Sequence, residues 1–377
     1  MRRVLVLVVA AAAIAVGAGL AIPSSAVTVN HESLSQSQLN DELAAIAASP
    51  YYQCFLQAQA YLNGLAAPTP IHGVSAPSWF STPTVEWSNT RTTDLAIVQY
   101  VQVHDPAAFT PANLATARTD LGLAIYSTIG TAYSQGSSAG FSCAGIPSPP
   151  THPSDGAAVL NTMPPWFQSE QVQANAAELA LEHLIPSPLP TSGPGLEAWY
   201  HEHAGVFDTT CISLIESPSL AASQTVASAI ANGLSFAAAA SRYSKDPTTA
   251  SKGGALGCFS PSSPQWSGVQ HFAGAVPTGH VSPPEPIPNA PAYLLVLVTK
   301  RTPNTFQDVH VAVAAQNQAI NRTNAQVLAL RIQRAADISV SPAIGTWQPT
   351  AGGGTIVPPT APPSSSVTNS TANTPVA

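Results

Sequence analysis

Between Phe207 and Arg301 a series of landmarks follows in one order, and that order constrains the fold more than any other feature of the chain. A strand-like run from Thr209 to Ile215 leads into a helix that begins near Pro218. Then come Asn232-Gly233-Leu234-Ser235-Phe236 and Ser241-Arg242-Tyr243-Ser244-Lys245-Asp246. Gly253-Gly254-Ala255-Leu256-Gly257-Cys258-Phe259 and Gly279-His280-Val281-Ser282-Pro283 follow, and an apolar strand from Ala292 to Val298 closes the series.

These phrases resemble those of parvulin-type (PpiC-like) peptidyl-prolyl cis/trans isomerase domains. Such domains run roughly G-x-x-F, A-x-x-x-S-x-D, G-G-x-L-G-x-F and G-x-x-S-x-P. All four occur here in order and at family-like spacing, the last in part. Upstream, Val27-Thr28-Val29-Asn30-His31-Glu32-Ser33-Leu34-Ser35 resembles the V-N-G-x-x-I-S opening of SurA-like and PrsA-like extracytoplasmic foldases, with His31 where Gly is usual. The resemblance implies an α+β fold: a helical SurA-N-like chaperone domain with an inserted parvulin-like domain, itself a small antiparallel sheet flanked by helices. The expected organisation is a leader or anchor over 1–26, the helical domain over 27–195 and the parvulin-like domain over 196–303. A last helix and strand-like end over 304–347 should rejoin the N-terminal domain, and 348–377 should be a disordered tail.

Local signals support the helical part. Ser35 and Gln38 fit a capping box ahead of a helix with apolar residues at Leu39, Leu43 and Ile46. Pro50 interrupts that pattern and predicts a kinked helix or a helical pair continuing to Leu62. Asp94–Val103, Pro111–Tyr133 and Pro164–Leu184 read as further helices, the second opened by Thr110 and Pro111. Thr305–Ala336 reads as one long helix. Pro68–Pro83, Gly136–Pro153 and Ile185–Gly195 read as linkers. Beyond Ala351 the Pro, Thr, Ser, Ala and Gly residues show no periodic apolar face.

Met1-Arg2-Arg3, the apolar run Val4–Ile22 and the small residues up to Ala26 predict an export leader cleaved after Ala26. The run is near the ~20 residues that span a bilayer, so an uncleaved anchor is the alternative. Cys54, Cys143, Cys211 and Cys258 are then expected as two disulfides, Cys54–Cys143 and Cys211–Cys258, because each pair lies within one expected domain. Four buried thiols are the other reading. No Cys or His spacing resembles a metal site, and no cofactor is implied. His201-Glu202-His203 reads as a polar helix end, since i and i+2 point apart on a helix. With only 8% charged residues and a net charge of −7, the chain has no basic stripe to neutralise phosphates, which excludes nucleic acid as a partner.

Prolyl isomerisation must overcome a barrier of ~18–20 kcal/mol. It needs neither nucleophile nor metal, only a pocket that favours the twisted imide over the planar one. The resemblance implies two histidines on adjacent central strands, a Cys or Asp beside them, and a Leu/Met/Phe pocket for the ring. Asp246 matches the acidic or thiol position and Leu256 the pocket leucine, while Ala255 stands where an acid is common. Cys211 and Tyr293 fall at the two histidine positions, so both histidines are absent. Trp266, Val269 and Phe272 fall near the ring-pocket aromatic. Asp246 reads equally well as a turn or helix cap.

The expected function is an exported protein-folding factor with a degenerate parvulin-type site and weak or lost isomerase activity. The alternative is a non-catalytic envelope chaperone, a holdase. Its partners would be unfolded or nascent exported polypeptides with prolyl segments, and a membrane only through the N-terminal anchor. A structural envelope protein using the tail as a spacer is a third reading.

Overall fold

A computed structural model of the protein describes residues 25–62, 82–136, 141–143, 146, 152–287 and 290–359. Residues 1–24 of the expected leader, most of the linker expected over Pro68–Pro83 and the chain beyond 359 lie outside the described residues. The described residues divide into two compact units, those up to Ile185 together with those from Ala325 onward, and Pro186–Asn324.

The first unit opens with the antiparallel hairpin β1 (Ser25–Val29) and β2 (Glu32–Ser35). Ser35 then caps α1 (Gln36–Ala47): its hydroxyl accepts the N–H of Gln38 at 3.1 Å, and the Gln38 side chain accepts the N–H of Ser35 at 2.9 Å. Pro50 starts a new helix, α2 (Pro50–Leu62), rather than kinking the first. This suits proline, whose missing N–H costs nothing in a first turn. Next come α3 (Thr82–His104), α4 (Pro111–Gly136), α5 (Pro153–Thr162) and α6 (Pro165–Leu184). Leu39, Ile46, Tyr52, Ile125, Ile129, Leu160 and Phe167 are fully buried in their common core, and Cys54–Cys143 ties α2 to the segment after α4. That core also holds charge: Arg91 reaches Glu42, Asp94 and Glu170, and Trp87 donates its indole N–H to Glu42.

The second unit contains α7 (Gly193–His203), β3 (Thr209–Ser217), α8 (Leu220–Ala231), α9 (Phe236–Tyr243), β4 (Ala255–Phe259) and α10 (Trp266–Ala273). After them come β5 (Glu285–Pro286), β6 (Tyr293–Thr302) and the start of α11 (Phe306–Ala335). The strands form an antiparallel sheet in the order β4-β3-β6-β5. Alternation along β3 and β6 sends Ile215 and Leu295 to α8 and α9 on one face, and Ile212, Val296 and Val298 to α10 on the other. The paired glycines have a steric reason. Gly253 and Gly254 adopt φ of +64° and +85°, and a Cβ on Gly254 would lie 2.6 Å from the Leu214 carbonyl.

In the first part of α11, Val309 and Val313, four residues apart, join Leu196, Tyr200 and Phe207 in a separate cluster of the second unit. Ala325 and Ile332, further along the same helix, are buried in the core of the first. Residues 186–195 and 304–324 therefore group with the sheet, not with the helical unit as expected. The reason is that α7 and the first turns of α11 bury each other's apolar stripe. After α11, β7 (Ile338–Val340) pairs with β1, placing Val340 opposite Val27. The expectation that disorder begins at 348 is corrected: β8 (Thr346–Thr350) and β9 (Gly353–Val357) form a hairpin with Ile356 buried.

Candidate functional site

Asp246 sits in the loop after α9. The loop is fastened to the end of β3, where the Glu216 carbonyl accepts the Lys245 N–H at 2.9 Å and Ser244 Oγ accepts the Glu216 N–H at 3.2 Å. The carboxylate itself is occupied locally. One oxygen accepts the N–H of Thr248 at 3.1 Å and the Thr248 hydroxyl, and the other accepts the Thr249 hydroxyl. Burial on its own would raise its pKa, but these hydrogen bonds from Thr248 and Thr249 prevail and hold it below the ordinary carboxylate value. Asp246 is thus an ionised acceptor at the head of a turn.

Cys211 is bonded to Cys258, its cross-strand neighbour in β4. It pairs on its other side with Lys300, whereas Tyr293 pairs with Ser217. The two positions are on adjacent strands, as expected, but six residues apart along β3, about 20 Å at ~3.3 Å per residue. This register does not bring the two positions together. Tyr293 shares its end of the sheet with the Asp246 loop, since Glu216 and Ser217 face Leu294 and Tyr293.

Leu256 lies in β4 as the extra residue of a bulge: Ala255 faces Ser213 and Gly257 faces Ile212. Leu256 is 41% exposed. Trp266 and Val269 are buried in α10 against Ile212, Val296 and Val298, and Phe272 packs on the same cluster. The structure therefore gathers the three ring-pocket candidates on one face. It leaves Cys211 in a disulfide and Asp246 in a turn.

A cavity of about 570 Å³ opens beside α10, lined by Trp266, Val269, Thr210, Val206, His203 and Arg301 among others. It shares Trp266 and Val269 with the expected pocket, but none of Asp246, Leu256, Phe272 or Tyr293 lines it. Arg301 lines it together with Glu202, His203 and Gln270, and was not singled out in the sequence. Its guanidinium donates to Thr210 Oγ1 at 3.1 Å and to the carbonyls of Ala273, Gly274 and Val276, closing the end of α10. This role depends on the register of β6 against β3, which no local pattern encodes. His203 stacks on Trp199 and bonds its carbonyl, as a polar helix end does. Among the described residues no group of three or more His, Cys, Asp or Glu could hold a metal ion, and no helix is long and apolar enough to cross a membrane.

Residues 215–302 match the PPIC-type PPIASE domain. No curated protein matches the chain. Among solved structures, the peptidylprolyl isomerase PrsA of Bacillus cereus is similar at 14% identity over 85% of this chain and 94% of that one, with a TM-score of 0.37. PrsA of Bacillus anthracis is similar at 14% identity over 65% and 96%, with a TM-score of 0.32. A match from work on two SurA-like chaperones of Campylobacter jejuni has 13% identity over 81% and 96%, with a TM-score of 0.23. The landmarks between Ile215 and Thr302, the glycine pair and the four-stranded sheet agree with the domain match. The second unit therefore carries a parvulin-type, PPIC-type PPIase domain over residues 215–302.

Proposed function

We propose that the protein is an extracytoplasmic folding factor whose parvulin-type domain binds prolyl segments of unfolded exported polypeptides and isomerises them weakly. The domain match over 215–302 carries the reading. Two disulfides, with no free cysteine among the described residues, support an oxidising compartment. Three observations at the site support weak catalysis. Neither expected histidine position holds histidine, the one Cys there is oxidised, and both Asp246 oxygens are engaged by Thr248 and Thr249. Shape alone then has to favour the twisted imide.

The oxidised Cys211 also favours the second reading, a holdase that binds without turning the bond. A protease-coupled or NMR-exchange assay on X-Pro peptides separates the two. Acceleration over the uncatalysed rate that depends on the protein establishes an isomerase, and binding without acceleration establishes a holdase. An absence of both binding and acceleration overturns the proposal.

A further inference from the structure

The two edges of the four-stranded sheet are built differently. At one edge β5 has only two residues, one of them Pro286, which has no N–H, and Pro283 and Pro284 precede it. That edge is blocked in the manner by which sheets avoid pairing with other chains. At the other edge β4 is Ala255-Leu256-Gly257-Cys258-Phe259, with no proline and no charge, and no Asp, Glu, Lys or Arg occurs from Gly253 to Pro284. Ala255 to Cys258 are all exposed, and no second strand pairs with β4 among the described residues. The Cα atoms of Cys211 and Cys258 are 3.8 Å apart, the close spacing of a non-hydrogen-bonded pair. The N–H and C=O of Cys258 accordingly point away from β3, to the open edge. The bulge at Leu256 turns an apolar side chain into solvent beside them.

We infer that β4 is a strand-addition site, which takes an extended apolar polypeptide segment by backbone hydrogen bonds at Cys258 and side-chain contact at Leu256. An outward-facing backbone donor and acceptor on one residue match the repeat of another strand, and reading backbone instead of side chains suits clients of varied sequence. The inference rests on the folding-factor reading, in which such segments are the partner. It locates their binding at the edge of the sheet, with Leu256, matched by the sequence to the pocket leucine, as the side-chain contact.

The test uses the full oxidised chain and two probes, a proline-free decapeptide of alternating Val and Thr with lysine ends, and the same peptide with one central proline. Amide hydrogen exchange is followed by NMR. Saturation with the proline-free peptide should slow exchange at Cys258 at least tenfold. Leu256→Asp, at an exposed position, should weaken binding at least fivefold without lowering the melting temperature. Binding of the proline peptide with no slowing at Cys258 overturns the strand-addition site and leaves the folding-factor reading standing. No binding of either peptide overturns both. Slowing that grows with protein concentration in the absence of peptide also overturns the inference, because the edge would then serve self-association.

Discussion

Asn321 holds the backbone of Leu189 from both sides: its Oδ1 accepts the Leu189 N–H at 2.8 Å, and its Nδ2 donates to the Leu189 carbonyl at 2.9 Å. One turn earlier on α11, Asn317 donates to the carbonyl of Pro190 at 2.8 Å. Both asparagines are buried. The segment they hold carries Pro186, Pro188 and Pro190, which cannot build a strand ladder of its own. The amides of α11 supply the missing partners, and this fixes the boundary of the second unit at Pro186 rather than at Leu196.

Asn321→Ala should therefore cost about 1 kcal/mol or somewhat more, since it removes two hydrogen bonds to the half-buried backbone of Leu189. Urea denaturation of the full chain measures the loss, and limited proteolysis should show a new cut between 186 and 192. Asn321→Asp, which keeps the acceptor and loses the donor, should fall between wild type and Ala. An unchanged midpoint together with an unchanged proteolytic pattern would mean that the clasp is incidental.

Where one residue type speaks for itself, the sequence was legible. The capping box at Ser35 and Gln38, the start of α4 at Pro111 and the glycine pair at Gly253 and Gly254 each encode a local backbone requirement, and each is present. Elements held by tertiary contacts were not legible. The helix α3 begins twelve residues before the expected Asp94, across a polar stretch with no apolar stripe. That stretch is secured by burial of Trp87, Ser88, Arg91 and Thr92, with Thr92 Oγ1 bonded to the Ser88 carbonyl. Just after the expected linker Gly136–Pro153, where no helix was expected, α5 forms because Gly156 fits against Gly122 of α4, where a Cβ would meet the Gly122 carbonyl at 1.9 Å. In the site, residue types could be assigned from phrases. The register that separates Cys211 from Tyr293 could not, because pairing of β3 with β6 is set by the whole sheet.

The turn geometry at Asp246 yields a second expectation. If its carboxylate serves as a cap, Asp246→Ala lowers stability by about 1 kcal/mol and leaves any residual isomerisation rate unchanged. Asp246→Asn, which retains an acceptor, should recover part of the stability. Thermal melts and the X-Pro assay on the same samples decide. A tenfold loss of rate at unchanged stability would place the carboxylate in the chemistry instead.

Restoring histidine at both family positions should not restore catalysis. In Cys211→His combined with Tyr293→His, the imidazoles would stand at opposite ends of the β3–β6 pair, beyond the reach of one imide. The substitution also removes the Cys211–Cys258 bond, at a typical cost of 2–4 kcal/mol. The control is Cys211→Ser with Cys258→Ser, which loses the bond without adding imidazoles. The histidine variant should match this control in rate within about twofold. A gain of tenfold, equivalent to ~1.4 kcal/mol of transition-state stabilisation, would show that the two positions do cooperate.

The buried charges of the first unit make its stability depend on pH. Glu42 has no exposed surface, and Arg91 must serve Glu42, Asp94 and Glu170 at once. Burial pushes the Glu42 carboxyl up to about 8, the Arg91 charge and the Trp87 hydrogen bond opposing and the Glu170 charge adding. In the unfolded chain the same group titrates at an ordinary value near 4.5. Between these values the folded state holds a proton that the unfolded state has released, so stability falls as pH rises. The contribution is fully present below about 4.5 and is lost on passing about 8. Melting temperatures taken from pH 5 to pH 9 should therefore decline, by the equivalent of a few kcal/mol at most. Glu42→Gln, which keeps an acceptor for Trp87 and cannot ionise, should flatten the decline. Equal slopes for wild type and Glu42→Gln would assign the pH dependence to other groups and leave Glu42 ionised beside Arg91.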